Sequence, residues 1–239
     1  MVHQIFKTVK FLLPNFLSQL IRSLFTALLT PLSFSIRSGH FLSSFRRSAV
    51  DRYGKSIPWY TYPCINFLEK RSFSGMKVLE FGGGQSSIWW GSRANTVVTF
   101  EGNDPLFSPN HEWSKKLQKS LPENVELHEV SMESSKTCQD EVLSILKNKP
   151  YETYDVIIID GLYRSHMVPI ALKYLSDGGI IVVDNSEGYE LFDEFISTNL
   201  SKVEFYGYSP GVYLKSCTTI YFSKENKFFD NDIPIDIPL

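Results

Sequence analysis

The sequence predicts an α/β fold built on a doubly wound, mostly parallel seven-stranded sheet, with an apolar helical extension at the N-terminus. Three observations indicate this fold. Apolar runs rich in β-branched residues alternate with segments of helical composition, which is the order of a parallel sheet covered by helices. Two of these runs, residues 156–159 and 180–183, are apolar throughout, as strands buried on both faces are. The first run, residues 77–81, ends in three consecutive glycines, which let the backbone turn sharply and approach a ligand.

Composition and charge divide the chain at about residue 50. With 239 residues, the chain is long enough for one domain, predicted for residues 51–239, and an N-terminal segment, residues 1–50. All 26 acidic side chains lie in the domain, whereas the N-terminal segment is basic and contains no acid. An acidic domain argues against nucleic-acid binding, because the phosphate backbone needs a basic face. Three scattered cysteines without a C-x-x-C pair predict a reducing, cytoplasmic environment and no zinc site.

The N-terminal segment is rich in apolar residues, but charged residues and prolines interrupt them. Apolar side chains recur at helical spacing from Leu13 to Leu28, which predicts an amphipathic helix. Arg22 and two prolines break up the apolar residues, and neither uncharged stretch reaches the roughly 18–20 residues of a membrane span. Three interpretations stay open. The helix packs on the domain or on a second copy in a homodimer; it lies on an anionic membrane surface, using basic residues such as Lys7 and Lys10; or it is a cleaved organelle-targeting segment.

An aromatic segment precedes the glycine turn. Pro58 and Pro63 bracket Trp59, Tyr60 and Tyr62, so the chain is predicted to be extended and stiff here. A helix is predicted to begin at about Pro63, because proline suits the first turn of a helix. Trp59 and Tyr60 either line a ligand pocket or pack against the sheet.

Acidic side chains end four of the predicted strands: Glu80, Glu101, Asp160 and Asp184. The carboxyl ends of parallel strands meet at one edge of a sheet, where ligands bind, so we expect these carboxyl groups to share one site. A carboxylate at the end of a buried strand is costly unless it is paired, solvated or bound to a ligand. Glu101 also follows the glycines at about the 20-residue spacing of a ribose-binding carboxylate.

The last part of the chain predicts the end of the sheet. Residues 202–206 and 217–222 have the composition of two strands, joined by a region with Gly207, Pro210 and Gly211. We expect the last strand to be antiparallel to its neighbours. Residues 228–239 contain two prolines and predict an extended, loosely held tail.

The segment from Glu80 to Gly84 resembles the first motif of class I S-adenosylmethionine-dependent methyltransferases, acid-x-Gly-x-Gly-x-Gly, with Ser86 in place of the third glycine. The fingerprint of NAD-binding proteins, Gly-x-Gly-x-x-Gly, fits less well, because Ser87 stands where its third glycine belongs. The resemblance implies a Rossmann-like methyltransferase fold that binds S-adenosylmethionine. The cofactor-binding residues that it implies are Glu80, Gly82, Gly83, Gly84, Glu101, Ser131, Met132 and Asp160. Of these, Glu101 would bind the ribose hydroxyls, and Ser131 and Met132 would border the adenine.

A second resemblance concerns the ends of the fourth and fifth predicted strands. They are similar to those of the divalent-metal-dependent O-methyltransferases of the catechol and caffeoyl-CoA type and their sugar-modifying relatives. This resemblance implies a Mg²⁺ site formed by Asp160, Asp184 and Asn185, whose oxygen atoms are ligands that magnesium prefers. The alternative is that Asp160 and Asp184 cap helices or bind the substrate without a metal.

This chain lacks the lysine that is the general base of the divalent-metal-dependent O-methyltransferases. They carry a lysine three residues after the first metal-binding aspartate, where this chain has Tyr163. The catalytic candidates are therefore Asp160, Tyr163 and His166, and the acceptor's proton passes to Tyr163, to His166 or to water from a metal-acidified hydroxyl. A plain surface position for His166 is the alternative.

These features predict an S-adenosylmethionine-dependent methyltransferase that modifies a hydroxyl group of a small-molecule or glycan acceptor. The protein is expected in the cytoplasm, either free or peripheral on a membrane through its N-terminal segment. Two other classes stay open: an NAD(P)-linked oxidoreductase of Rossmann type that uses Glu101, and a non-catalytic, membrane-associated module of the same fold.

Overall fold

The computed structural model describes residues 14–103, 112–188, 195 and 198–226. Within these residues, seven strands form one sheet in the order β3-β2-β1-β4-β5-β7-β6. The strands are β1 (Lys77–Phe81), β2 (Thr96–Asn103), β3 (Val125–Ser131), β4 (Tyr154–Ile159), β5 (Leu175–Asp184), β6 (Ser201–Tyr208) and β7 (Lys215–Phe222). The predicted seven-stranded sheet is thus confirmed, and each predicted strand is present.

The sheet is mixed. Strands β1 to β5 pair in parallel, whereas β7 is antiparallel to both β5 and β6. The chain order reverses between β1 and β4, which places the switch point of the doubly wound sheet where β1 meets β4. In such sheets ligands bind beyond the carboxyl ends of the strands at the switch point.

Helices connect the strands and cover both faces of the sheet. They are α1 (Asn15–Arg37), α2 (His40–Arg46), α3 (Tyr62–Glu69), α4 (Gln85–Gly91), α5 (Glu112–Ser120), α6 (Ser135–Lys147), α7 (Arg164–Tyr174) and a short 3₁₀ helix, Ser186–Gly188. Local sequence explains several boundaries. Pro63 lies in the first turn of α3, as predicted. The Ser134 hydroxyl caps α6 by accepting a hydrogen bond from the Thr137 N–H at 3.1 Å.

The core has two layers, one on each face of the sheet. Alternate residues along β1 point to opposite layers, so Leu79 packs beneath α6 and α7 while Val78 packs against α3 and α4. In β4, Ile157 and Ile158 divide in the same way, and both are fully buried. The continuous apolar composition of this strand therefore follows from its burial on both faces.

The N-terminal segment differs from the expectation in one respect. The helix predicted from Leu13 to Leu28 continues through Pro31 to Arg37, which gives a single 23-residue helix, α1 (Asn15–Arg37). By length and composition alone, α1 is long and apolar enough to cross a membrane. A signal sequence near an N-terminus has the same properties. No residue of α1 is buried, so α1 is not a core helix. The predicted residues Lys7, Lys10 and Leu13 lie outside the described residues.

Two further predictions concern the tail and the domain boundary. The tail predicted for residues 228–239 lies outside the described residues. The boundary at residue 50 stays a prediction. Ala49 and Val50, just before it, are buried, and Val50 pairs with Ser56 in an isolated bridge.

Candidate functional site

The loop after β1 touches the end of β4. Gly82 has a φ of 108°, and a Cβ atom on it would lie 1.9 Å from the Asp160 carbonyl oxygen. The Asp160 N–H in turn donates a hydrogen bond to the Phe81 carbonyl at 2.8 Å. Glycine is required at position 82 for both reasons, its conformation and this close approach. The contact brings the glycine loop and the Asp160 loop to one point at the switch of the sheet.

Glu80 is fully buried beneath this loop. Its Oε2 atom accepts hydrogen bonds from the Ser87 hydroxyl at 2.5 Å and the Thr99 hydroxyl at 2.8 Å. Burial raises the pKa of Glu80 to about 7, although these hydroxyls and that of Ser86 oppose the shift. The Ser87 hydroxyl also accepts a hydrogen bond from the Gly84 N–H at 3.0 Å, so Glu80 holds the glycine loop in place through Ser87.

Glu101 lies near the end of β2, and burial raises its pKa to about 8. Hydrogen bonds from the Gly83 backbone and the Trp113 side chain oppose this shift, while the charges of Glu80 and Asp160 add to it. Glu101 therefore faces the glycine loop from the neighbouring strand. The side chain is only partly buried, so a ligand can reach it.

Asp160 forms an ion pair with Arg164, one helical turn further along the chain. The Arg164 Nη2 atom lies 2.5 Å from Asp160 Oδ1 and 3.0 Å from Asn185 Oδ1. The guanidinium thus bridges the ends of β4 and β5. Burial raises the pKa of Asp160, and the positive charge of Arg164 opposes that rise.

Asp184 ends β5 and is almost fully buried. Its Oδ1 atom accepts a hydrogen bond from the Thr218 hydroxyl of β7 at 2.7 Å. The Thr218 hydroxyl accepts one from the Thr61 N–H at 2.9 Å, which fixes its direction. Burial raises the pKa of Asp184, and repulsion from Asp160 raises it further.

The structure brings the four predicted acids, Glu80, Glu101, Asp160 and Asp184, to one edge of the sheet. The charge of Asp160 raises the pKa of each of the other three, and the charge of Glu80 also raises the pKa of Glu101. Bringing several buried carboxyl groups together is unfavourable unless they bind protons or a cation. The Arg164 guanidinium meets part of this requirement beside Asp160, and protons or a cationic ligand can meet the rest.

A pocket of about 460 Å³ opens beside Asp160 and Asp184. Its floor is polar, and its walls include the indole ring of Trp59 and the loop between β6 and β7. The lining residues are Trp59, Asp160, Asp184, Asn185, Glu187, Ser209, Val212, Leu214, Lys215 and Ser216. The Trp59 N–H donates a hydrogen bond to the Pro210 carbonyl at 2.9 Å, so the ring is fixed at the pocket. Tyr60 instead packs in the core, where its hydroxyl accepts a hydrogen bond from Trp90.

Ser131 and Met132 lie on the other side of the glycine loop. Ser131 pairs with Asn103 across β2 and β3, and its N–H donates to Glu141 Oε2 at 2.7 Å. The Met132 side chain lies against Gly102, where a Cβ atom would come within 2.7 Å of the sulfur. These residues form an apolar wall next to Glu101, and their contact with adenine stays a prediction.

The structure places the catalytic candidates Tyr163 and His166 apart from the pocket. The Tyr163 hydroxyl donates a hydrogen bond to the Met132 carbonyl at 2.8 Å, which directs it toward the apolar wall. His166 is exposed on α7, and its carbonyl accepts a hydrogen bond from Gln139. Neither side chain lines the pocket beside Asp160, so of the three catalytic candidates only Asp160 lies there.

The predicted magnesium ligands are engaged by a guanidinium. Asp160 and Asn185 both turn an oxygen atom toward Arg164, and Asp184 binds Thr218. Magnesium needs open oxygen ligands at near-octahedral positions. Among the described residues, no group of three or more His, Cys, Asp or Glu side chains is arranged to hold a metal ion. These side chains do not fit magnesium while Arg164 keeps this position.

Sequence reasoning missed the residues that support the acids. Ser87, Thr99 and Thr218 donate hydrogen bonds to Glu80 and Asp184. Thr99 and Thr218 are hydroxyl side chains inside strands that are otherwise largely apolar, a pattern that could have drawn notice. The role of Arg164 had a weaker signal: it follows Asp160 by four residues, the spacing of neighbours on a helix.

Comparisons with known proteins address the fold. No protein-family model matches the chain, and no curated protein matches it. The solved precorrin-6y C5,15-methyltransferase from Geobacter metallireducens is similar, with 12% identity and a TM-score of 0.52 over 76% of this chain and 96% of that one. This likeness shows the fold alone, and it confirms the predicted Rossmann-like methyltransferase fold.

Two O-methyltransferase structures match more of the chain at lower TM-scores. The enzyme TomG from Streptomyces achromogenes, solved with S-adenosylmethionine, has 17% identity and a TM-score of 0.49 over 85% of this chain and 95% of that one. The Bacillus cereus enzyme, solved with S-adenosylhomocysteine, has 15% identity and a TM-score of 0.48 over 85% of this chain and 97% of that one.

Proposed function

We propose that this protein is an S-adenosylmethionine-dependent methyltransferase. The observation that carries the proposal is the group of four carboxyl groups around the glycine loop, two of which have pKa values raised to about 7 and about 8. S-Adenosylmethionine has a sulfonium and an ammonium group but only one carboxylate, so it binds as a net cation. A cation lowers the free energy of ionised carboxyl groups that otherwise repel one another.

The donor side of the site consists of the glycine loop, Glu101 and the apolar wall. The backbone at Gly83 and Gly84 borders the methionine part of the cofactor, since glycine presents no side chain there. Glu101 accepts hydrogen bonds from the ribose hydroxyls. Ser131 and Met132 border the adenine ring.

The acceptor is a hydroxyl group of a small molecule or a glycan, bound in the pocket beside Asp160. When bound, S-adenosylmethionine supplies a sulfonium methyl group: the C–S bond breaks as the O–CH₃ bond forms, leaving a neutral thioether. Arg164 lies behind the pocket wall, where it bonds the lining residues Asp160 and Asn185. Its positive charge lowers the proton affinity of the acceptor oxygen. The acceptor's proton passes to Asp160, whose ionised form the same charge favours. Trp59 packs against the acceptor and holds it in line.

A magnesium ion remains a variant of this proposal, with Asp160, Asp184 and Asn185 as its ligands. It requires Arg164 to leave the oxygen atoms of Asp160 and Asn185. Arg164 supplies positive charge in the same place, so the proposal does not need the metal. Retention of activity in the presence of a chelator distinguishes the two variants.

The other two classes are less compatible with the site. NAD carries a pyrophosphate with two negative charges, which the glycine loop would hold beside Glu80 and Asp160. Repulsion from these carboxyl groups opposes that arrangement. A non-catalytic module does not require four carboxyl groups at one edge of the sheet. The exposed apolar helix α1 is compatible with membrane contact in either class. The three cysteines are free, consistent with a cytoplasmic location.

Isothermal titration calorimetry with S-adenosylmethionine, S-adenosylhomocysteine and NAD⁺ tests the proposal. We expect S-adenosylmethionine to bind, S-adenosylhomocysteine to bind more weakly because it lacks the sulfonium charge, and NAD⁺ to give no heat. Glu101→Gln should weaken S-adenosylmethionine binding about 10- to 100-fold, because hydrogen bonds to a charged group contribute about 1.5–3 kcal/mol. Glu126→Gln is the matched control, since Glu126 of β3 is an exposed carboxylate that pairs with Lys149. Failure of S-adenosylmethionine to bind, or equal binding by Glu101→Gln, contradicts the proposal.

A further inference from the structure

An exposed apolar surface extends from α1 to the pocket entrance. On α1, Phe16 and Leu28 are 76% and 70% exposed. On α2, Phe45 is 74% exposed, and its ring lies 4.8 Å from that of Phe41. In the entrance loop, defined as residues 209–214 between β6 and β7, Tyr213 is 89% exposed. We call these exposed side chains, with Val212 and Leu214, the apolar surface.

The parts of the apolar surface are joined by direct contacts. The Gly211 N–H donates a hydrogen bond to His40 Nδ1 at 3.3 Å. Gly211 also packs against α2 so closely that a Cβ atom would lie 2.9 Å from the Ser44 nitrogen. The Phe34 ring near the end of α1 meets Tyr62 of α3 edge-on at 5.4 Å. The entrance loop, α2 and the end of α1 therefore hold fixed positions relative to the domain.

The same loop forms the mouth of the pocket. Val212 and Leu214 line the pocket together with Trp59, Asp160 and Asp184. Leu214 is 70% exposed, so it contributes both to the pocket wall and to the outer surface. The pocket consequently opens at the apolar surface rather than at a polar part of the domain.

The charged side chains carried by α1 and α2 are all basic, whereas Asp51 and Glu69 lie in the groove between α1 and the domain. Within residues 14–50 the charged side chains are Arg22, Arg37, Arg46 and Arg47, all exposed, and that stretch contains no acid. Lys215 follows the entrance loop and also lines the pocket. Two copies of this basic helix would repel each other if they packed together. An anionic lipid surface attracts them and buries the apolar side chains at the same time.

We propose that the apolar surface binds an anionic membrane with the pocket mouth facing the lipid, so that the acceptor hydroxyl belongs to a lipid or a lipid-linked molecule. The acceptor part of this inference rests on the proposed function, whereas the membrane contact does not. It narrows the acceptor from any small molecule or glycan to one held at a bilayer surface. Asp160, Asp184 and Arg164 then meet a headgroup that enters past Leu214.

Flotation of the full chain with vesicles tests the membrane contact. We expect binding to phosphatidylcholine vesicles that contain phosphatidylglycerol, and much weaker binding to pure phosphatidylcholine or at high salt. Phe45→Ser with Leu214→Ser should weaken binding at least tenfold, since two exposed apolar side chains no longer enter the lipid. Tyr206→Ser is the matched control, because Tyr206 is exposed on β6 beside Lys202 and Glu204. Flotation that is independent of lipid charge and unchanged in the double variant overturns the proposal.

Tryptophan fluorescence tests the orientation. The chain has four tryptophans: Trp89 and Trp90 are buried, Trp59 is at the pocket mouth, and Trp113 lies beside Glu101 on the far side of β1, β4 and β5. Brominated lipids should quench the wild-type protein and the Trp113→Phe variant, but not Trp59→Phe. If quenching is lost in Trp113→Phe but kept in Trp59→Phe, the proposed orientation is wrong.

Two measurements separate this inference from the proposed function. If the protein is a dimer by light scattering, does not float, and dissociates on Phe45→Ser, the apolar surface is a contact between copies and the inference is wrong. Label from S-adenosyl-[methyl-³H]methionine, incubated with a detergent extract of membranes, should enter the chloroform-soluble fraction. Label confined to water-soluble products overturns the lipid acceptor but supports the proposed function. Flotation without any binding of S-adenosylmethionine removes the acceptor part and the proposed function, and leaves the membrane contact.

Discussion

Gly82 and Asp160 are in backbone contact: a Cβ atom at position 82 would lie 1.9 Å from the Asp160 carbonyl oxygen. Gly84, two residues on, has no atom within 4 Å of its ideal Cβ position and an extended backbone. The two glycines therefore have different reasons for being glycine. Gly82 is required by the fold, whereas Gly84 faces open space at the proposed cofactor site.

This contrast predicts different outcomes for two similar substitutions. Gly82→Ala should destabilise the protein strongly, because the clash involves two backbones that cannot both move without breaking β1 or β4. Gly84→Ala should leave the melting temperature unchanged and weaken S-adenosylhomocysteine binding at least tenfold by calorimetry. Equal binding by Gly84→Ala and the wild-type protein would show that the cofactor does not approach this part of the loop.

Arg164 is predicted to act as the cation of the acceptor pocket. Arg164→Met should reduce methyl transfer about 100-fold, the usual effect of removing one group that stabilises charge in the transition state. Binding of S-adenosylhomocysteine should change much less. Arg164→Lys should restore activity only in part, since one ammonium group cannot bridge Asp160 and Asn185 as a guanidinium does.

If Arg164 supplies the positive charge of the acceptor pocket, methyl transfer does not require a metal ion. Activity should persist in EDTA, measured by release of S-adenosylhomocysteine with a membrane extract as acceptor source. Loss of activity in EDTA, with recovery on adding Mg²⁺, would support the magnesium variant and require Arg164 to move away from Asp160.

Tyr163 is predicted to position the apolar wall rather than to transfer a proton. Tyr163→Phe removes the hydrogen bond to the Met132 carbonyl, so the KM for S-adenosylmethionine should rise about fivefold, as loss of roughly 1 kcal/mol implies. The kcat should stay within a factor of about two, and His166→Ala should change neither constant. A large fall in kcat for either variant would identify that side chain as the general base.

Ligand binding should release protons. At pH 7, Glu80 is about half protonated and Glu101 is mostly protonated, since their pKa values are raised to about 7 and about 8. A bound cation favours the ionised carboxylates, so affinity for S-adenosylmethionine should increase as the pH rises from 6 to 8. Calorimetry at pH 7 in phosphate and in Tris, which differ in ionisation enthalpy, measures the protons released. The Glu101→Gln variant should release fewer protons than the wild-type protein when S-adenosylmethionine binds.

The same raised pKa values make the free energy of unfolding of the ligand-free protein depend on pH. The folded chain keeps these protons up to pH 7–8, whereas the unfolded chain loses them near the ordinary value of 4.5. The folded state thus binds more protons in this window, and the free energy of unfolding falls as the pH rises through it. Thermal melts between pH 5 and pH 9 should show this decrease, with a smaller slope for Glu101→Gln. A melting temperature that rises over the same range would contradict the raised pKa values.

Local pattern was sufficient for the sheet and for the positions of the four acids. Strands β1, β2, β4 and β5 each contain an apolar run, and an acid at the end of such a run lies at the carboxyl edge. The polar and apolar residues of β3 alternate instead. The partners of those acids were harder to predict. Thr218 reaches Asp184 because β7 inserts between β5 and β6, an order that no local pattern specifies. Arg164 reaches Asn185 because α7 begins directly beside the ends of β4 and β5.

The N-terminal helix shows the opposite error. The predicted helix, Leu13 to Leu28, passes through Arg22 as α1 does, but α1 continues through Pro31 to Arg37. A proline inside a helix removes one backbone hydrogen bond and usually kinks or ends the helix. Proline content alone therefore underestimated the length of this helix.

Under the proposed function, donor and acceptor are recognised by separate parts of the chain. The glycine loop and Glu101 belong to β1 and β2, whereas the entrance loop is the turn of the β6–β7 hairpin, four strands away from β2. A hairpin turn can gain or lose residues without shifting the register of strands beyond it. Acceptor preference can therefore diverge during evolution through this turn alone, while the machinery that holds the methyl donor is inherited intact.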